Sequence, residues 1–529
     1  MILLHLALTQ CFLPLALVLG PEPIQGDDFD THIGQTYRVL EGLQGWGKSW
    51  VYDPKLLAGQ PEGTIFDGDN KAWELWTFAG VSLGLSRALA FNSFVLATFL
   101  AWPGLAFAGA RLLGFSAGAG ILAALFSSLV WFFDSFAHWC WWIGMVEYCA
   151  GVCFAIVPLG LFYRFVRAPG PKLAAASALA LGAALIVHPY AFFILAAPMA
   201  WLYLAAARRF ARRDHLAVAG IVVGAIALNL YWLLPAFAHW HYVLDSGFFA
   251  QGGPAFLVSD FFDLLRDPSD TGVIGTRTGF RFLFLALSLA ALLLWRRERD
   301  PRFAPFAAVL GLCFLLSYFS QIIPFARQIQ PYRHALPLAF FAAIAAAGFV
   351  EHAIARRALA GLGKPVLALL AVLSFGVVQH LAIQVAYFMP QWVPEARPLF
   401  DGSPSVIMRY GFHSTFEAST HMFYGLQNPR TLEHQIVRWV DEQLPHGTRV
   451  LVDRMALGER LAWKTHVEVI GGFEYRNIEH SYANFFRSYH KIDVDELKLG
   501  YYLRTYAISY VMVERARQDF ARATRLLEP

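Results

Sequence analysis

Charge is scarce in this sequence: Asp, Glu, Lys and Arg together supply only 15% of its 529 residues, against roughly 25% in a typical soluble chain. A soluble multidomain protein is therefore excluded, and the 57% of hydrophobic residues points to a lipid environment instead. Net charge is also small, at +4, which excludes the strongly basic footprint of a nucleic-acid binder. Cysteine is rare, with five in all. Cys11, Cys140, Cys149, Cys153 and Cys313 lie in apolar stretches without metal-ligand spacing, so disulfides are not expected to hold the fold. What is abundant is aromatic: 46 Phe and 16 Trp, many where an interfacial belt sits.

The apolar runs define the architecture. The first covers about Leu3 to Leu19. It has no basic residue before it and no Ala-x-Ala-like end, so a retained helix is expected rather than a cleaved signal peptide. Further runs centre near Leu96, Ala123, Ala155, Ala180, Met199, Ala225, Leu287, Leu310, Ala343 and Leu373. The expected fold is an α-helical polytopic membrane protein of about eleven transmembrane helices, with a C-terminal external α/β domain. Short basic clusters alternate with acidic or aromatic loops. Arg111; Arg164, Arg167 and Lys172; Arg208, Arg209, Arg212 and Arg213; Arg296, Arg297, Arg299 and Arg302; and Arg356, Arg357 and Lys364 mark one face. The positive-inside rule makes that face cytoplasmic, with the N-terminus inside and everything after about Phe388 outside.

The opposite face collects the polar residues. A first loop opens on Asp27, Asp28, Phe29, Asp30 and continues as an amphipathic helix through Ile33, Tyr37, Val39, Leu40 and Leu43. Asp134 interrupts an aromatic run, and Glu147 lies just inside the following span. His188-Pro189-Tyr190 ends another helix. A long loop after Tyr231-Trp232 carries His241, Asp245 and Asp260. Arg327, then Gln330-Pro331-Tyr332-Arg333-His334, fill a gap between two late spans. A carboxylate near the headgroup boundary is partly desolvated and suited to general-base work, and a guanidinium there can grip a phosphate. Such a face is equipped to join a polar acceptor to a lipid-phosphate donor.

These residues resemble those of the GT-C superfamily of membrane glycosyltransferases, which includes oligosaccharyltransferases, protein mannosyltransferases and aminoarabinose transferases. The likeness rests on Asp27-Asp28-Phe29-Asp30 ahead of Tyr37-Arg38-Val39-Leu40, on Asp134, on His188-Pro189, and on Gln330-Pro331-Tyr332-Arg333. Within the superfamily the chain looks nearest to uncharacterised bacterial YfhO-like proteins. It departs from oligosaccharyltransferases in lacking a Trp-Trp-Asp-Tyr-Gly motif, which argues against Asn-linked protein glycosylation. The resemblance implies transfer from a polyprenyl-phosphate-linked sugar to a glycan, lipid or protein acceptor of the envelope. Asp28, Asp27 or Asp30 would be the base, with Asp28 first. Arg333, helped by Arg327, would stabilise the departing phosphate. Asp134 would either orient the acceptor or, with Asp28, ligate Mg²⁺ or Mn²⁺. Tyr332, His334, His188, Glu147 and His241 complete the expected substrate-binding set. Two other classes stay open: a transporter or flippase of a lipid-linked sugar, and a non-catalytic GT-C-like envelope assembly protein.

The chain is expected to divide into a transmembrane domain over 1–389 with external loop 21–75, a linker over 390–430, and an external α/β accessory domain over 431–529. In the last, Arg449–Asp453, Val467–Ile470 and Ile508–Val513 read as strands and Thr431 opens a helix. No Gly-x-Gly-x-x-Gly follows any of these strands and no Ser-His-Asp set is evident, so neither dinucleotide binding nor serine hydrolysis is expected there.

Overall fold

The computed structural model describes residues 1–244 (27 and 67 excepted), 253–263, 278–356, 368–369, 371–374, 432–473, 476–488 and 496–513. Asp27, the linker at 390–430 and most of the span expected near Leu373 lie outside them. Among the described residues, six helices are long and apolar enough to cross a membrane. They are Arg87–Leu112, Val146–Arg167, Arg212–Ala238, Gly279–Glu298, Phe303–Ile322 and Pro331–Ile354. A seventh candidate is a pair, Ala117–Phe133 and Ser135–Ile143, bent by 66° at Asp134. Shorter apolar helices run over Pro171–Val187 and Ala191–Ala207. This is the helical membrane fold that the sequence predicts, while the expected count of about eleven spans is not confirmed by the six or seven among the described residues.

The chain divides into two compact units. The first comprises Met1–Ala16, Val95–Leu230 and Ser246–Thr420. Its centre is the helix Ala335–Arg356, on which Ala117–Phe133 and Gly279–Glu298 both pack. From Leu338 to Ala347 every side chain is fully buried. That segment is mainly Ala and Phe, and small residues let helix backbones approach where lipid supplies no hydrophobic drive between them. The same device is reciprocal elsewhere. A Cβ on Gly109 would lie 2.2 Å from Ile156, and one on Gly160 would lie 2.5 Å from Leu112. The N-terminal helix Ile2–Phe12 is held by a polar tie: His5 Nε2 meets the Phe99 carbonyl at 2.8 Å and Nδ1 meets Ser128 Oγ at 3.0 Å.

The second unit comprises Leu17–Phe94, Tyr231–Asp245 and His421–Pro529. Its N-terminal part is the helix Asp28–Trp46 followed by an antiparallel hairpin, β1 (Val51–Asp53) and β2 (Gln60–Glu62). Trp73 anchors this part, stacking on Phe91 at 4.2 Å and donating Nε1–H to the Phe91 carbonyl at 2.9 Å. Its C-terminal part is a parallel sheet of β3 (Arg449–Val452), β4 (Glu468–Ile470) and β5 (Tyr510–Met512), in the order β4-β3-β5. Alternation along β3 makes its two faces. Val450 and Val452 join one core with Val437, Val440 and Leu461, while Leu451 joins another with Ile470, Phe485 and Phe486. The first-loop segment also adds to this sheet. Leu56 pairs in parallel with Val469, through Val469 N–H to the Lys55 carbonyl at 2.6 Å and Leu57 N–H to the Val469 carbonyl at 2.9 Å.

The close approach at Gly109 yields a stability prediction. Gly109→Leu overpacks the contact with Ile156 and is expected to cost about 1–3 kcal/mol, the usual range for added core volume. A thermal-unfolding series in detergent checks it, with Gly104→Leu, whose Cβ would meet nothing within 4 Å, as the neutral control.

Candidate functional site

Two buried clusters in the first unit carry the expected residues. One is built on the break at Asp134. Its Oδ1 accepts the backbone N–H of Phe136 at 3.0 Å and of Ala137 at 3.1 Å, capping the helix Ser135–Ile143. Both oxygens also accept from Arg281, Oδ2 from Nε and Oδ1 from Nη2, each at 2.9 Å. Arg281 Nη1 reaches Asp260 Oδ2 at 2.7 Å, and the Tyr318 hydroxyl donates to that same oxygen at 2.8 Å. Asp134, Arg281 and Asp260 are all buried. A single guanidinium thus answers two carboxylates in a low-dielectric interior, where any of the three alone is very costly.

This arrangement bears on Asp134 as an expected catalytic acid and metal ligand. Its lone pairs are committed to Arg281 and to helix amides. Among the described residues no group of three His, Cys, Asp or Glu side chains is placed to hold a metal ion. Arg281 was absent from the expected site. Its signal was available, because it is an arginine at the start of an apolar run, Gly279-Phe280-Arg281-Phe282, and such a charge needs an internal partner.

The second cluster gathers His188, Tyr190, Tyr148, Arg333 and His334. Helix Pro171–Val187 ends where His188 turns extended, and the His188 ring nitrogen Nδ1 accepts the Tyr190 N–H at 3.1 Å. Gly151 makes room, since a Cβ there would lie 2.6 Å from His188 Cβ. The late loop arrives as two short 3₁₀ turns, Pro324–Ile329 and Pro331–His334, joined by Gln330 in the left-handed region at φ 47°. Tyr148 donates its hydroxyl to the Arg333 carbonyl, and Tyr190 donates to that of Ile329. The half-buried Arg333 guanidinium lies 5.4 Å from the Tyr148 ring centre and 5.4 Å from that of Tyr190. Cation–π contacts of this kind fix the plane of a guanidinium without neutralising its charge. His334 Nδ1 meets the Pro331 carbonyl at 3.1 Å. Glu147 is buried in the first turn of Val146–Phe154. Tyr332 is buried against Phe136 and Trp139, with ring centres 5.8 and 6.0 Å away. The Arg327 side chain lies outside the described residues. What the cluster can do chemically is present a fixed cation, framed by rings, to an anionic group.

The first-loop acids belong to the second unit. Asp28 is half-buried in the first turn of the helix Asp28–Trp46. Asp30 is buried and takes Arg460 Nη2 at 2.9 Å and the Gly26 N–H at 3.2 Å. Burial pushes the Asp30 carboxyl above its ordinary range, with the charge and hydrogen bond of Arg460 opposing. His241 is exposed, its ring tilted 43° to that of Tyr242 with centres 3.9 Å apart, beside the bridge between Val243 and Ile478.

No family model matches the chain, and no curated protein is similar to it in sequence. Its structure is another matter. The oligosaccharyltransferase of Archaeoglobus fulgidus, in a crystal structure with Zn and sulfate, aligns with a TM-score of 0.54 at 12% identity, over 96% of this chain and 67% of that one. The same archaeal protein, AglB, in complex with an inhibitory peptide and a dolichol-phosphate, aligns with a TM-score of 0.51 at 12% identity over 96% and 69%. The chain shares the fold of that oligosaccharyltransferase. ArnT from Cupriavidus metallidurans, bound to undecaprenyl phosphate, aligns with a TM-score of 0.48 at 16% identity over 96% and 89%. On the two archaeal alignments the expected architecture holds at the level of the fold; the narrower YfhO-like expectation is not addressed by them.

The Asp134–Arg281–Asp260 network makes a sharp prediction. Arg281→Met leaves two buried carboxylates without their counter-charge and is expected to cost about 3–5 kcal/mol, as for other broken buried pairs. Combining it with Asp134→Asn should restore part of that loss in the same thermal-unfolding measurement.

Proposed function

We propose that the chain is a membrane glycosyltransferase. It moves a sugar from a polyprenyl-phosphate donor to a glycan, lipid or protein acceptor of the envelope, on the non-cytoplasmic face of a bacterial cytoplasmic membrane. The observation that carries this reading is the fold likeness to an oligosaccharyltransferase across 96% of the chain, one of whose structures holds a dolichol-phosphate. The ring-framed Arg333 supports it.

The reaction is a direct displacement. Asp28 accepts the proton of an acceptor hydroxyl, whose oxygen attacks the anomeric carbon of the donor. The bond from that carbon to the phosphate oxygen breaks, the anomeric configuration inverts, and polyprenyl phosphate leaves with the electron pair. Arg333, assisted by Arg327, stabilises the charge that grows on that phosphate. Asp28, half-buried in the first turn of its helix, is the first choice for the base role. Asp30 suits it less, since Arg460 already occupies its oxygens. His188, Tyr332 and His334 frame the donor headgroup. Asp134 fits poorly as a ligand for Mg²⁺ or Mn²⁺, given its bond pair to Arg281, and no step is assigned to a metal.

Purified protein supplied with radiolabelled polyprenyl-phosphate sugars and an envelope extract tests the proposal. Asp28→Asn and Arg333→Ala should each lower transfer by about a hundredfold or more, the usual scale for a general base or a charge stabiliser. Undiminished transfer in both variants would overturn the assigned roles. Absence of transfer with any donor, alongside measurable flipping of the lipid-linked sugar, would move the chain to the transporter class. Orientation has its own test: a reporter fused after Pro529 should read as external, and a cytoplasmic signal would reverse the assigned topology.

A further inference from the structure

The second unit contains a cavity of about 250 Å³ that the transfer reaction does not use. Helix Asp28–Trp46 gives it Gln35, Tyr37 and Arg38; helix Met455–Lys464 gives it Trp463; Arg87 and Arg476 also reach it. Its charge cancels locally. Arg38 is paired with Glu41 at 2.6 Å, Arg87 approaches the same carboxylate at 3.8 Å, and Arg476 holds Glu459 at 2.7 Å. A phosphate, a carboxylate or a metal ion would compete with those pairs.

Two further features point to a neutral ligand. Gln35 is only 2% exposed, yet among the described residues neither its Nε2 nor its Oε1 has a hydrogen-bond partner. A buried carboxamide leaves a donor and an acceptor unanswered at a cost, and one ligand hydroxyl pair answers both. Beside it, the Tyr37 and Trp463 rings meet almost at right angles, 86°, with centres 6.1 Å apart. They form an apolar corner, and Arg87 caps the Tyr37 ring at 5.7 Å. Alternating hydroxyls and a C–H face are the surface of a sugar ring, and ion-paired carboxylates and guanidiniums still offer acceptors and donors to such hydroxyls. At about 30 Å³ of liquid per water, the volume suits one saccharide unit rather than an extended chain.

We propose that this cavity binds one neutral, hydroxyl-rich saccharide unit. The site does not depend on the transfer reading and stands or falls on binding alone. The test uses the full chain in lipid nanodiscs, which avoids sugar-headed detergents, and saturation-transfer NMR. The probes are methyl α-mannoside, methyl β-glucoside, methyl β-galactoside and methyl α-arabinoside, with methyl β-glucuronide as the anionic control. Transfer to the ring protons of at least one neutral glycoside, exceeding that to the glucuronide, is the expected result. Gln35→Leu should weaken that binding at least about tenfold, the equivalent of a lost buried hydrogen bond or two, without lowering the unfolding temperature. Trp463→Ala should abolish it. Absence of transfer to every neutral glycoside, a stronger signal from the glucuronide, or unchanged binding in Gln35→Leu would overturn the proposal.

Discussion

A carboxylate that ends one apolar helix and caps the next needs a counter-charge inside the membrane unit, and Arg281 supplies it to Asp134 while also holding Asp260. Few other interactions in the first unit have so much resting on them. The ion pairs connect the break between Ala117–Phe133 and Ser135–Ile143 to the start of Gly279–Glu298, and through Tyr318 to the end of Phe303–Phe319. Remove the positive charge and the bend loses the partner that makes a carboxylate tolerable at that depth. The helices that pack on Ala335–Arg356 include both of those that this pair joins. A structural role for Asp134 is therefore physically complete without any role in chemistry.

The contrast with Arg333 is instructive. Arg281 is satisfied by two carboxylates and a hydroxyl, so its charge is consumed within the protein. Arg333 is framed by the rings of Tyr148 and Tyr190, which orient its guanidinium. The first arrangement ties helices together, while the second sets the plane of a guanidinium at a helix end. His188 belongs with the second because Gly151 gives up its side chain to admit it.

Much of this was legible in the sequence wherever a short-range pattern carries the information. The parallel strands appear as Arg449–Val452, Glu468–Ile470 and Tyr510–Met512, within two or three residues of where runs of Val, Ile and Tyr predicted them. The surface helix after the first apolar run is equally plain, as Asp28–Trp46. The long-range pairings were not. Arg281 finds Asp134 across 147 residues and Arg460 finds Asp30 across 430, and no periodicity encodes such partners. The same limit hid the contribution of the first loop to the C-terminal sheet, since Leu56 reads as an isolated apolar residue in a turn-rich stretch.

That last contact constrains the topology of the whole chain by parity. Val469 is hydrogen-bonded through its backbone to Lys55 and Leu57, on either side of Leu56, and backbone partners of this kind must lie on one side of a bilayer. Every crossing made after Leu56 must therefore be matched by a return before Val469. The number of membrane passages between those residues is even, whatever the status of each short or bent apolar helix. A change that adds or deletes a single span in that interval would strand the two halves of the sheet on opposite faces. The bridge at the β4 edge of a small three-stranded sheet thus acts as a check on how the membrane domain was inserted.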